Sequence, residues 1–214
     1  MASTGALLFG FVVVHMLGNL QIFLGQDVFN DYAKHLQELP MLLWPARAVL
    51  LILLITHIAV AINLACENRA ARPDRYKYYG TIQASYASRT MVFSGIIVSL
   101  FIVYHLLHFT FGKVQPQFFE MTDAKGREDI YAMVVHSFRN VYVSASYIAA
   151  MAVLCWHLRH GLQSMFQSVG WSSEKTAPCF EKFAVATSLL IFLGNCSIPA
   201  AILLGLVKLP GGGV

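Results

Sequence analysis

Eight histidines are spread unevenly along the 214-residue chain. His15, His57, His105, His108, His157 and His160 fall within or beside apolar stretches, whereas His35 and His136 lie in connections. An ionisable side chain inside a membrane-crossing segment is costly and marks a functional site by default. A neutral imidazole there can ligate a metal, relay a proton or hydrogen-bond a neighbour. One such histidine is as readily a packed, satisfied side chain. Four successive apolar stretches each carrying one are harder to explain by packing.

The elements that hold these histidines follow from the spacing of charge. Charged residues divide the chain into five apolar stretches, which predict transmembrane helices over about 4–25, 46–66, 90–112, 141–163 and 183–207. Each is near the ~20 residues a helix needs to cross the hydrocarbon core. Helices or closed barrels alone satisfy the backbone in lipid, and no barrel-type alternation is present. The first stretch lacks a basic leader and a small-residue cleavage site, so it predicts a mature spanning helix, with room for a short extension ahead of residue 1. Asp27–Leu39 is expected to hold an interfacial helix with Val28, Tyr32, Leu36 and Leu39 at roughly helical spacing, and Asp74–Ser88 a second with four tyrosines. No internal repeat is apparent. The fold class is all-α integral membrane in a single domain over 1–214: a four-helix bundle plus a fifth helix.

Composition agrees. Hydrophobic residues make up 57% of the chain and charged residues 12%, with a mean hydropathy of +0.60. Soluble domains carry about 25% charged residues. This excludes an ordinary cytosolic enzyme, a disordered chain and a secreted disulfide scaffold. The net charge of +4 is scattered through loops with no basic block, so nucleic acid is not an expected partner. Cys66, Cys155, Cys179 and Cys196 form no CxxC or haem-attachment motif. Lys and Arg are nearly balanced between the two sides. The cationic 2–3 connection favours an N-terminus on the inner side of the membrane.

Helices 1 and 3 run in one direction and helices 2 and 4 in the other. His15 and His105 fall at similar depths, as do His57 and His157, giving two levels of paired imidazoles. Such pairs on facing helices are what a six-coordinate b-type haem needs. Gly10, Gly18, Ala59, Ala61, Gly95 and Gly161 leave room for a macrocycle, or else allow close helix packing. Zinc or copper would more often recruit cysteine or carboxylate, and no carboxylate lies in a core stretch. His105 and His108 share a helix face, as do His157 and His160, so each pair offers two choices.

Several segments carry a resemblance: Phe11-Val-Val-Val-His15-Met-Leu-Gly-Asn-Leu20, Thr56-His57-Ile-Ala-Val, Ser88-Arg89-Thr-Met-Val-Phe-Ser-Gly95, Val103-Tyr-His105-Leu-Leu, and His157 followed by Gly161 and Gly170. The chain resembles the cytochrome b membrane-anchor subunit of succinate:quinone oxidoreductases, the five-helix, di-haem kind found in succinate dehydrogenases and fumarate reductases. The resemblance spans essentially the whole chain and selects His105 over His108 and His157 over His160. It implies two b haems, a proximal one held by His57 and His157 and a distal one held by His15 and His105. It implies a flavoprotein and an iron–sulfur subunit as partners on the proximal side, and a quinone, menaquinone being expected, on the distal side. The dicarboxylate reaction would then lie in a partner. Fumarate-reducing members place a glutamate beside the quinone in the 1–2 connection, which makes Glu38 a candidate proton acceptor. Others carry a glutamate two residues before the helix-4 ligand, where this chain has Cys155. Arg89, Arg159 and His160 are candidate contacts for haem propionates. The alternatives are another quinone-linked di-haem cytochrome b, a haem-free anchor of the same fold, and a proton-relaying transporter.

Overall fold

The computed structural model describes residues 1–71 and 90–210. Seven α-helices are described: α1 (Ala2–Leu20), α2 (Gln26–Gln37), α3 (Pro40–Ala70), α4 (Met91–His105), α5 (Ile130–Arg139), α6 (Val141–Ser168) and α7 (Ala177–Leu203). Five segments are long and apolar enough to cross a membrane: Ala2–Leu24, Pro40–Ala70, Met91–Thr110, Val141–Ser168 and Ala177–Leu203. No strand occurs among the described residues. The chain is an all-α integral membrane protein.

The spanning helices overrun the apolar stretches. α3 starts at Pro40 and ends at Ala70, α6 continues to Ser168, and α7 starts at Ala177. Arg47, Glu67, Arg159 and Glu181 end the apolar runs without ending the helices, because a charged side chain at the interface can stay solvated while the backbone remains helical. At about 1.5 Å per residue, α3 is near 46 Å long, well beyond the ~30 Å hydrocarbon core.

α1, α3, α4 and α6 form a closed ring in which α1 packs on α3, α3 on α4, α4 on α6 and α6 on α1. α7 packs outside this ring, against α6 and α1. Across the ring, α1 faces α4 and α3 faces α6. α3 buries none of its side chains.

The densest packing lies at one end of the bundle. Ile22 and Phe29 meet Tyr131, Val134, Val135 and Phe138 of α5, Val143 and Tyr147 at the start of α6, and Ile198 and Ile202 near the end of α7. α5 was not anticipated from the sequence. Asp129 caps it by accepting from the Ala132 N–H, and seven of its ten residues are buried. Asn140 breaks the chain in extended conformation and caps α6 by accepting from Tyr142 and Val143 N–H groups.

α2 lies where the interfacial helix was expected. Phe29 and Asn30 are buried, whereas Val28, Leu36 and Leu39 are 37–41% exposed. The amide of Asn30 bonds Asp123 and Asp129. The segment 74–88 lies outside the described residues.

Candidate functional site

The ring brings the histidines together across its diagonals. His15 of α1 and His105 of α4 approach with ring centroids 5.8 Å apart and planes at 87°. His57 of α3 lies within electrostatic reach of His157 of α6. His15 stacks on Phe11 at 5.4 Å and stays exposed, whereas the other three are half-buried.

The hydroxyls around these rings fix their protons. Thr4 Oγ1 donates to the Met1 carbonyl at 2.9 Å and lies 3.1 Å from His57 Nδ1. Ser94 Oγ donates to the Met91 carbonyl at 2.9 Å and lies 3.1 Å from His157 Nδ1. A hydroxyl has one proton and two lone pairs. With that proton turned to a carbonyl, each oxygen is placed to accept from Nδ1–H of His57 and of His157. Nε2 of each ring is then the bare nitrogen.

His105 reaches the same state by a longer route. His108 Nε2 lies 2.9 Å from Gln115 Oε1, and His108 Nδ1 lies 3.0 Å from the Tyr147 hydroxyl. Nε2–H therefore donates to the Gln115 oxygen, and Nδ1 accepts from the Tyr147 O–H. The Tyr147 oxygen, 3.4 Å from His105 Nδ1, is left to accept from that ring. Tyr147 is buried among Phe101, Tyr104, Phe109 and Phe138, which hold its hydroxyl between the two histidines. A π turn, Leu106–Thr110, follows His105 and rotates His108 into this cluster. Among the described residues, no hydrogen bond engages Nε2 of His57, His105 or His157.

These donors suit a haem. His15 and His105, with ring centroids 5.8 Å apart, could hold a haem iron between them. Each level offers two imidazoles, and among the described residues no three His, Cys, Asp or Glu side chains converge. Two imidazole nitrogens would suffice for the iron of a haem, whose porphyrin supplies the other donors. They leave a bare zinc ion short of ligands. His108, with both nitrogens engaged and 2% exposed, is a structural histidine.

The small residues divide between the two roles first considered. A Cβ at Gly95 would sit 3.5 Å from His157 Cε1, and one at Gly5 3.4 Å from His57 Cε1, so these glycines let a helix backbone approach each imidazole. Gly18 instead receives Tyr32 of α2, whose hydroxyl would be 2.5 Å from an added Cβ, so it serves helix packing and not a macrocycle. Gly161 faces Met91, and Gly10 has open space beside it.

The remaining candidates scatter. Glu38 is exposed at the end of α2 and pairs with Lys34 at 3.6 Å. Arg159 is 44% exposed and pairs with Glu181 at 3.5 Å. His160 is half-buried on α6, and Arg89 lies outside the described residues.

The sequence reading also missed the ionic clamp that docks α2 onto the 119–130 connection. The Arg127 side chain, 5% exposed, bonds Asp123, Asp27 and Asp31. Hydrogen bonding to Asp123 holds its guanidinium above the ordinary arginine range, against burial. Burial alone would raise the Asp123 carboxyl, but bonds from Arg127, Asn30 and the Lys125 backbone outweigh it and hold that carboxyl far below the usual range. Lys125 and Arg127 lower Asp27 likewise.

Residues 65–194 match the family model of the succinate dehydrogenase/fumarate reductase transmembrane subunit. The matched stretch contains His105 and His157, while His15 and His57 precede it. No curated protein and no solved structure matches the chain.

Proposed function

Because the chain belongs to the succinate dehydrogenase/fumarate reductase transmembrane-subunit family, we propose that it anchors the complex and relays electrons between an iron–sulfur subunit and a membrane quinone through two b haems. His57 and His157 hold the haem nearer the iron–sulfur subunit, and His15 and His105 hold the one nearer the quinone. The observation that carries this reading is the arrangement of paired imidazoles on opposite helices, with a hydroxyl oxygen 3.1 Å from Nδ1 of His57 and of His157. A histidine that ligates through Nε2 carries its proton on Nδ1, with a partner there.

Bound haem supplies a one-electron carrier at each level. This chain's residues do the rest. Thr4 and Ser94 lie about 16 Å along the helix axis from His15 and His105, so the two levels divide the bilayer between them. The flavoprotein and iron–sulfur subunits dock at the His57/His157 end, on the connections around 67–90 and 169–176. Interconverting quinone and quinol, menaquinone in our reading, exchanges two electrons and two protons. The protons are exchanged at the opposite end, where Glu38 is the candidate carboxylate. The N-terminus lies on the cytoplasmic side of a bacterial-type inner membrane.

The test is a reduced-minus-oxidised spectrum of the purified complex with pyridine-haemochrome quantitation. About two b haems per chain are expected. Replacing His57 or His157 removes one spectral class, and replacing His15 or His105 removes the other. A folded complex without haem would refute the relay and leave the anchoring role alone.

A further inference from the structure

α1 and α4 carry the same device. In α1, Thr4-Gly5 is followed by His15 eleven residues after the threonine, and in α4, Ser94-Gly95 is followed by His105 eleven residues after the serine. The geometry repeats with the spacing. Each hydroxyl bonds back to the carbonyl three residues earlier at 2.9 Å, and each lies 3.1 Å from Nδ1 of a histidine on the neighbouring helix. Each following glycine brings its backbone against Cε1 of the same ring, 3.4 Å and 3.5 Å from the place a Cβ would take. His57 and His157 are thus seated alike, by two helices facing each other across the ring. The copies share two residue types and a spacing, too little to stand out among apolar residues.

We propose that Thr4 and Ser94 are positioning residues that seat the His57 and His157 imidazoles, fixing ring orientation and keeping Nε2 free for iron. The proposal rests on the haem reading above. The hydroxyl oxygen accepts from Nδ1–H, which raises the basicity of the ligating nitrogen and favours ferric over ferrous iron. The glycine admits the ring edge to the helix backbone, so rotation about the Cβ–Cγ bond is limited from both sides. Each of α1 and α4 therefore supplies a ligand at one level and a seat at the other.

The experiment uses the full complex with Thr4→Val, Ser94→Ala and their combination, beside the conservative variants Thr4→Ser and Ser94→Thr. Haem content, the midpoint potential of each haem and the low-spin paramagnetic resonance signal of each are measured. The seated haem is identified as the one lost in His57→Ala. Hydroxyl-free variants are expected to raise the potential of that haem alone. A tenfold loss of ferric preference corresponds to about 59 mV for one electron. Its resonance signal shifts as the ring planes reorient, while the haem lost in His105→Ala stays unchanged. Loss of the seated haem in the hydroxyl-free variants, restored in the conservative ones, also supports the seats. The proposal is overturned if potential and signal stay unmoved with both haems retained, if both haems shift equally, or if the conservative variants behave like the hydroxyl-free ones. Wild-type complex with no haem would instead overturn the relay reading.

Discussion

Tyr147→Phe isolates one hydroxyl in a site otherwise left intact. The ring keeps its place among Phe101, Phe109 and Phe138, with centroids 5.1, 5.7 and 5.0 Å away, so no cavity opens. The lost oxygen is the donor to His108 Nδ1 at 3.0 Å and a longer acceptor for His105 Nδ1 at 3.4 Å. His108 is 2% exposed and cannot recruit water in its place. A buried acceptor left without a donor costs about 1–3 kcal/mol. The 3.4 Å contact exceeds the usual hydrogen-bond length and adds little. The variant is therefore expected to lose about 2 kcal/mol of stability, with a smaller effect on the His105 haem than Ser94→Ala has on the His157 haem. The assay is denaturant unfolding of the detergent-solubilised protein, followed by helical ellipticity and the haem α-band. Gln115→Leu, alone and combined, completes a double-mutant cycle. Removing Gln115 frees His108 to change tautomer, so the two losses should not add. A Tyr147→Phe protein within about 0.5 kcal/mol of wild type, the range of a neutral surface change, would refute the proposed proton order from Gln115 to His105.

Other outcomes follow from the same contacts. Asp129→Ala removes the α5 cap and the acceptor for Gln26 at 2.7 Å and Asn30 at 2.9 Å; cap loss alone costs about 1 kcal/mol, and protease accessibility of the 119–130 connection should rise. Gly18→Val must displace the Tyr32 ring and loosen α2 from α1, read as faster amide exchange confined to α2. Asp123 has its folded pKa lowered, so its contribution is complete above the unfolded value of about 4 and is lost as pH falls further; Asp123→Asn should flatten that acid limb of an unfolding-midpoint titration. His136, lowered by burial and by Arg139, acts in a higher window: its folded pKa lies below the unfolded ~6.5, so stability falls as pH drops through that window, and His136→Phe, which keeps the stack on Phe118, should remove this slope.

Much of this architecture is written in the hydropathy. Five apolar runs give the spanning helices, and the depths of four histidines give their pairing across the ring. What escaped is short or polar. α5 is a ten-residue helix in a connection, too short to register as a span. Asp129 ahead of Ile130-Tyr-Ala-Met-Val-Val, a cap before an apolar run shorter than a bilayer, was the signal that could have found it. The burial of Asn30, satisfied by two aspartates from a distant connection, leaves no mark in hydropathy. Arg127 counted as one more loop cation because ion pairing about 100 positions apart leaves no trace in a local pattern. The choice of His105 over His108 needed the family resemblance, and the structure supplies a reason in the partners that engage both His108 nitrogens.

The interval between seat and ligand acts as a ruler. Eleven residues complete three helical turns with about 20° to spare, so Thr4 and His15 share one stripe of α1, as do Ser94 and His105 of α4. The side chains between them, such as Leu7, Val14, Ile96 and Leu100, are 54–66% exposed. Their identity is nearly free so long as they remain apolar, but their number is not. Inserting or deleting one residue turns the histidine by about 100° away from its level. These segments should therefore tolerate substitution broadly and length change not at all, the reverse of the behaviour of a surface loop.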